Sequence, residues 1–106
     1  MAEIIDLFKT ALYSTELKLD NNKMIRYCKK IQKEDKGRVI SNEGGWQSNN
    51  LQGEHPILNE LFEDIEHHAT LFAKDTLKVR HPLYLDNVWI NINRFKDSNT
   101  YHIHPN

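Results

Sequence analysis

The sequence holds a single cysteine, Cys28, so no disulfide forms within the chain, and a reducing compartment is expected. It also lacks a charge excess of either sign. Lysine plus arginine number 14 and aspartate plus glutamate 15, for a net charge of -1 with neutral histidine. Nothing in that balance attracts a polyanion, so nucleic acid is not an expected partner. No apolar run approaches the roughly 20 residues of a membrane helix, so no membrane association is expected. The opening "MAEIIDLFKT" has acids among its apolar residues and does not read as a signal peptide. Together these absences lead to the expectation of a cytoplasmic protein. There is no internal repeat and no low-complexity tract. The glycine pair Gly44-Gly45 is not followed by the lysine-serine or lysine-threonine of a phosphate-binding loop.

What is present suits one domain, residues 1–106, with 39% hydrophobic residues and little margin for folding alone. Five stretches read as strands: residues 4–13, 38–41, 45–48, 88–95 and 101–104. Two read as helices. In "KMIRYCKKIQKED", Met24, Ile25, Cys28 and Ile31 make one apolar stripe, after the turn and cap residues "LDNN" and before Gly37 as a stop. Lys29, Lys30 and Lys33 read as its solvated face. A second helix opens at His55-Pro56 and closes before His81-Pro82. Its stripe is Ile57, Leu58, Leu61, Phe62, Ile65, Ala69 and Phe72, of which Leu61, Phe62, Ile65 and Phe72 are expected in the core. Each helix has one apolar stripe and a polar back, so both are expected on one face of a mainly antiparallel sheet, an α+β fold.

Three places carry possible chemistry. Glu63 with His67, and Asp64 with His68, are four residues apart on the second helix. They read more simply as polar surface, because no other helix offers matching ligands of the di-iron bundle kind. "SNEGGWQS" sets a tryptophan directly after two glycines, which suggests backbone packed under a large ring; a plain loop around a core Trp46 is the alternative. In "YHIHPN", His102 and His104 fall on one face of a strand, and neutral imidazoles so spaced can reach one iron, zinc, copper or nickel ion. Surface histidines near a terminus are the ordinary alternative. In "NVWININRF", Trp89, Asn91, Asn93 and Phe95 face one way, and Val88, Ile90 and Ile92 the other.

These stretches together resemble a family. Ser41, Asn42, Gly44, Gly45, Trp46, Gln47 and Ser48, an apolar helix, then Trp89, Asn91, His102, His104 and Pro105 look like the landmarks of 2-oxoglutarate- and Fe(II)-dependent oxygenases common among bacteriophage and marine bacterial proteins. The resemblance implies the N-terminal half of a double-stranded β-helix, or jelly roll. It makes His102 the best iron ligand candidate and His104 a second, in a position where a carboxylate is commoner. It puts Asn91 beside the cofactor, with Asn42, Gly44, Gly45, Trp46, Gln47 and Trp89 as motif residues. A phage origin would make the compartment the host cytoplasm.

A full jelly roll takes about eight strands, more than the five read here. The third ligand and the base that holds 2-oxoglutarate are therefore expected beyond Asn106. The expected function is a 2-oxoglutarate/Fe(II) dioxygenase half-domain that needs a complementary C-terminal segment. The alternative is a non-catalytic interaction or assembly module with the same half-fold. A third possibility is a zinc or nickel site that His102 and His104 form across a dimer. The edge at residues 88–104 bears Val88, Trp89, Ile90, Ile92 and Phe95, so a homo-oligomer joined there is expected unless the complementary half is present.

Overall fold

The computed structural model describes residues 1–104. Pro105, assigned above to the second motif, lies outside the described residues. The fold is mixed α+β, with the order α1 (Asn21–Glu34), β1 (Asn42–Glu43), β2 (Trp46–Gln47), α2 (Pro56–Thr76), β3 (Asn91–Ile92) and β4 (Ser98–Asn99).

Residues 4–13 do not form the expected strand. Ile4, Ile5, Leu7, Phe8 and Leu12 are exposed, and no backbone ladder includes them. A strand needs apolar residues at alternate positions to present one face, and here they come as adjacent pairs. The first anchored residue is Tyr13, whose hydroxyl lies 2.6 Å from His68 Nδ1 and whose ring sits beside Phe72.

Helix α1 begins where Asp20 Oδ1 accepts the Lys23 amide at 3.0 Å, and it ends at Asp35, whose amide bonds Ile31 O. Pro56 opens α2 in a position where its missing N–H is no loss. The helices are tied at that point by Tyr27 and His55: His55 Nε2–H donates to Gln52 O, which leaves Nδ1 to accept from the Tyr27 hydroxyl. Helix α2 ends at Thr76, short of His81-Pro82, in a turn where Lys78 takes φ 60°. The returning chain is held along α2, with the Leu83 amide on Thr70 Oγ1 and the Leu85 amide on Glu66 Oε2.

The two small sheets are pieces of one antiparallel track. Strand β1 pairs with β4 (Asn42 with Asn99, Glu43 with Ser98), and β2 pairs with β3 (Trp46 with Ile92, Gln47 with Asn91). Between the pieces, Gly44-Gly45 on one side faces the longer run 93–97 on the other, so the register slips. Both glycines have positive φ, and a Cβ on either would strike Asp97 or Asn93. The track is extended by Thr100 N to Ser41 O at one end, and by Ser48 N to Ile90 O and Leu51 N to Val88 O at the other. Of the strands expected from sequence, 45–48 and 88–95 contain β2 and β3. Residues 38–41 and 101–104 are not strands: single backbone bonds join Arg38 to Gln47 and Thr100 to Ser41, and among the described residues no backbone ladder reaches 101–104.

The buried residues depart from the expected core. Among the described residues, only Leu58 and Ala73 are buried apolar residues, while Ser41, Asn42, Gln47 and Ser48 are buried polar ones. Leu61, Phe62 and Phe72 are half-buried, and Ile65 is exposed at 37%. The stripe of α2 faces an open groove of about 510 Å³, where Met24 and Cys28 of α1, Leu58 and Leu61 of α2, and Ile90 and Ile92 come together. Both helices therefore turn apolar residues toward the β3 segment without closing on it. Burial pushes the Cys28 thiol pKa up, which keeps it protonated.

Candidate functional site

The glycine-tryptophan motif works through polar contacts. Asn42 Oδ1 accepts the Ile40 amide at 3.0 Å. Ser48, fully buried, accepts the Ile90 amide at 2.8 Å on Oγ and donates from it to Asn49 O. Trp46 Nε1–H donates to Asp35 O at 3.0 Å. The glycine beneath the Trp46 ring is Gly37 rather than Gly44 or Gly45: a Cβ there would lie 2.6 Å from Trp46 Nε1 and 2.5 Å from Gln47 O. Gly37 thus serves the loop as well as following the helix.

Asp35 is the latch of this loop. Its carboxylate accepts the Gly37 amide at 2.7 Å, the Asn49 amide at 2.9 Å and the Asn49 side-chain amide at 2.8 Å. The Gly37 and Asn49 backbone bonds, with help from the Arg38 charge, hold its pKa below the ordinary aspartate value.

This scaffold brings the two sequence motifs to one groove of about 240 Å³. Ser41 and Gln47 come from the first motif, and Trp89, Asn91, His102 and His104 from the second; Arg38, Ile40, Asn99 and Ile103 complete the wall. Asn42, Gly44, Gly45 and Trp46 do not line it and act as support. His102 Nδ1–H donates to Thr100 O at 2.8 Å, which leaves Nε2 as an acceptor, placed to take a hydrogen bond from His104 Nε2–H when no ion is bound. That atom lies 3.2 Å from His104 Nε2. The His104 ring lies nearly parallel to Trp89, at 20° and 6.1 Å between centroids.

The two imidazoles fit a shared ion. With metal–nitrogen bonds of about 2.1 Å, neighbouring ligands stand roughly 3.0 Å apart in octahedral and 3.4 Å apart in tetrahedral coordination. The backbone carbonyl on the far nitrogen of His102 is the usual second contact of a ligating histidine. Among the described residues, no group of three or more histidine, cysteine or carboxylate side chains could hold an ion. The α2 pairs do not add to the site. His68 is engaged by Tyr13, and His67 packs edge-on against His68.

Sequence reasoning missed Arg38 and Asp35. Arg38 Nη2 donates to Asn50 Oδ1 at 3.0 Å, its guanidinium carbon stands 5.7 Å from the Trp89 ring centroid, and its buried Nε has no hydrogen-bond partner among the described residues. An unpaired buried donor costs about 1–3 kcal/mol, so this one stands out. The signal available in sequence was their place on either side of Gly37, just ahead of the motif.

The chain matches no family model, no curated protein and no solved structure. No helix among the described residues is long and apolar enough to cross a membrane.

Proposed function

We propose that this chain supplies two histidine ligands, His102 and His104, to the iron site of a 2-oxoglutarate-dependent oxygenase with a jelly-roll fold. The observation that carries the reading is the approach of the two Nε2 atoms to 3.2 Å, with His102 already held by Thr100 O in the ligating tautomer. Two imidazoles alone hold a divalent ion loosely. The third ligand and the base for 2-oxoglutarate come from residues other than those described, either a complementary segment or another chain.

Bound Fe(II) and 2-oxoglutarate together supply the chemistry: dioxygen is reduced as the oxo acid is decarboxylated, and a C–H bond is hydroxylated. The residues of this chain prepare the place. His102 and His104 fix the ion against the end of the interrupted ladder, and Trp89 supports His104 from the side. Asn91 and Gln47 offer amide groups to polar atoms bound in the groove. Ile40, Ile103 and Trp89 give one wall an apolar character.

Cobalt(II) titration followed by the paramagnetic shifts of the histidine ring protons tests the site. Selective shifts of His102 and His104, lost in His102→Ala, are expected. Equal shifts at His67 and His81 would leave no specific site. Succinate formation with Fe(II), 2-oxoglutarate and ascorbate is expected to be absent for the chain alone; turnover that disappears in His102→Ala would show that no further segment is needed.

The open apolar groove between the helices favours a second reading, a non-catalytic assembly module. Under it, the cobalt shifts at His102 and His104 would be absent.

A further inference from the structure

The groove beside the histidines has a charge that the metal reading does not use. Among the described residues its walls hold no aspartate or glutamate, and Arg38 is the one lysine or arginine. Asp35 lies close enough to feel the Arg38 charge, yet the two make no ion pair among the described residues, because the Asp35 oxygens are turned to Gly37 and Asn49. A guanidinium carries five N–H donors in a planar fork. Here one hydrogen bond is made, to Asn50, and Nε is buried without a partner.

We propose that Arg38 anchors a carboxylate, and that the substrate of this site is a small organic acid with an apolar body. A flat guanidinium with unused donors matches a carboxylate through two parallel bonds, and its carbon stands 5.7 Å from the Trp89 ring centroid, on the groove wall. Ile40, Ile103 and the Trp89 ring provide apolar wall for the rest of the molecule. The groove of about 240 Å³ has room for an acid of a few carbons. The assignment deepens the oxygenase reading and rests on it only in calling the acid a substrate; recognition of the carboxylate needs no metal.

The Arg38 Nε–H resonance, followed by ¹H–¹⁵N NMR with EDTA present, reads the site directly. Butyrate should shift it saturably, while butanamide, of the same shape without charge, should bind at least about tenfold more weakly. Arg38→Lys keeps the charge and loses the fork, and should likewise weaken butyrate at least about tenfold, read from the Trp89 indole resonance. That variant also loses the Asn50 contact, so the wild-type comparison of butyrate with butanamide stands independently of its folding. With the metal withheld by EDTA, the butyrate response is read independently of any ion on the histidine pair. Equal binding of butyrate and butanamide would overturn the proposal. So would tighter binding of inorganic phosphate than of butyrate, or a response to 2-oxoglutarate alone.

Discussion

At the scale of single residues, the chemistry divides between groups that face the groove and groups that hold its walls. His102 belongs to the first kind. Changing an outer partner of a metal ligand commonly costs ten- to a hundredfold in affinity, so under the proposed iron site the removal of His102 should cost at least about that much. His102→Ala is therefore expected to weaken nickel binding at least about tenfold by calorimetry, and an unchanged affinity would place the ion elsewhere. Asp35 belongs to the second kind. Its folded pKa lies below the unfolded value, so its contribution to stability is complete above about pH 4 and is lost as the pH falls through the lower folded value. Urea midpoints measured from pH 7 downward should fall on the acid side, and Asp35→Asn should be less stable at pH 7 with a flatter acid limb. The histidine pair was legible in the sequence because its spacing is local. Asp35 and Arg38 were not, because a charged residue at a helix end reads as solvated until the partners that return from Asn49 and Trp89 are known.

At the scale of elements, the helices were legible and the strands only partly so. Helix α1 follows its cap at Asp20, and α2 follows His55-Pro56, as local signals require. The stripe of α2 is legible as far as Phe72 but leaves out Ala73, which is buried; burial depends on what lies opposite, and periodicity carries no information about that. Leu58, at 4% exposure, is the member that is covered. Leu58→Ala should cost about 2–5 kcal/mol in urea denaturation, whereas Ile65→Ala should stay near the surface scale of about 0.5 kcal/mol. Equal losses at both positions would mean that the groove closes in solution. The interrupted ladder was illegible because its break comes from side chains. Asp97 and Asn93 stand against the glycine pair, and the slip follows from the longer run opposite. Gly44→Ala is expected to destabilise through its φ of 71° and its clash with Asp97. Chemical shifts of Ser98 and Asn99 should report the damage first, because they lie on the adjoining piece of ladder.

At the scale of the whole molecule, an apolar arm and an apolar groove are both open. Residues 1–12 precede the first anchor at Tyr13 and bury no core residue. Their deletion should leave the thermal midpoint within about 1 °C, and limited proteolysis should cut there before it cuts α1 or α2. A larger drop in midpoint would mean that the arm packs on something in solution. The homo-oligomer expected through residues 88–104 is tested by static light scattering at tens of micromolar. Residues 88, 90, 91 and 92 already have backbone partners on one side, from Leu51, Ser48 and β2, so any pairing with a second copy uses the remaining edge.

The arm also sets how the molecule moves through solvent. The radius of gyration is 17.9 Å and the extents are 65 × 30 × 26 Å, against about 13 Å for a compact chain of similar length. Friction follows the longest dimension more than the mass, so a single copy should diffuse slowly and leave a gel-filtration column early. The cube of the ratio of radii is roughly 2.6, enough for one elongated copy to elute where a compact dimer would. Deleting the arm should move that peak later while the scattered mass falls only by the mass of the residues removed.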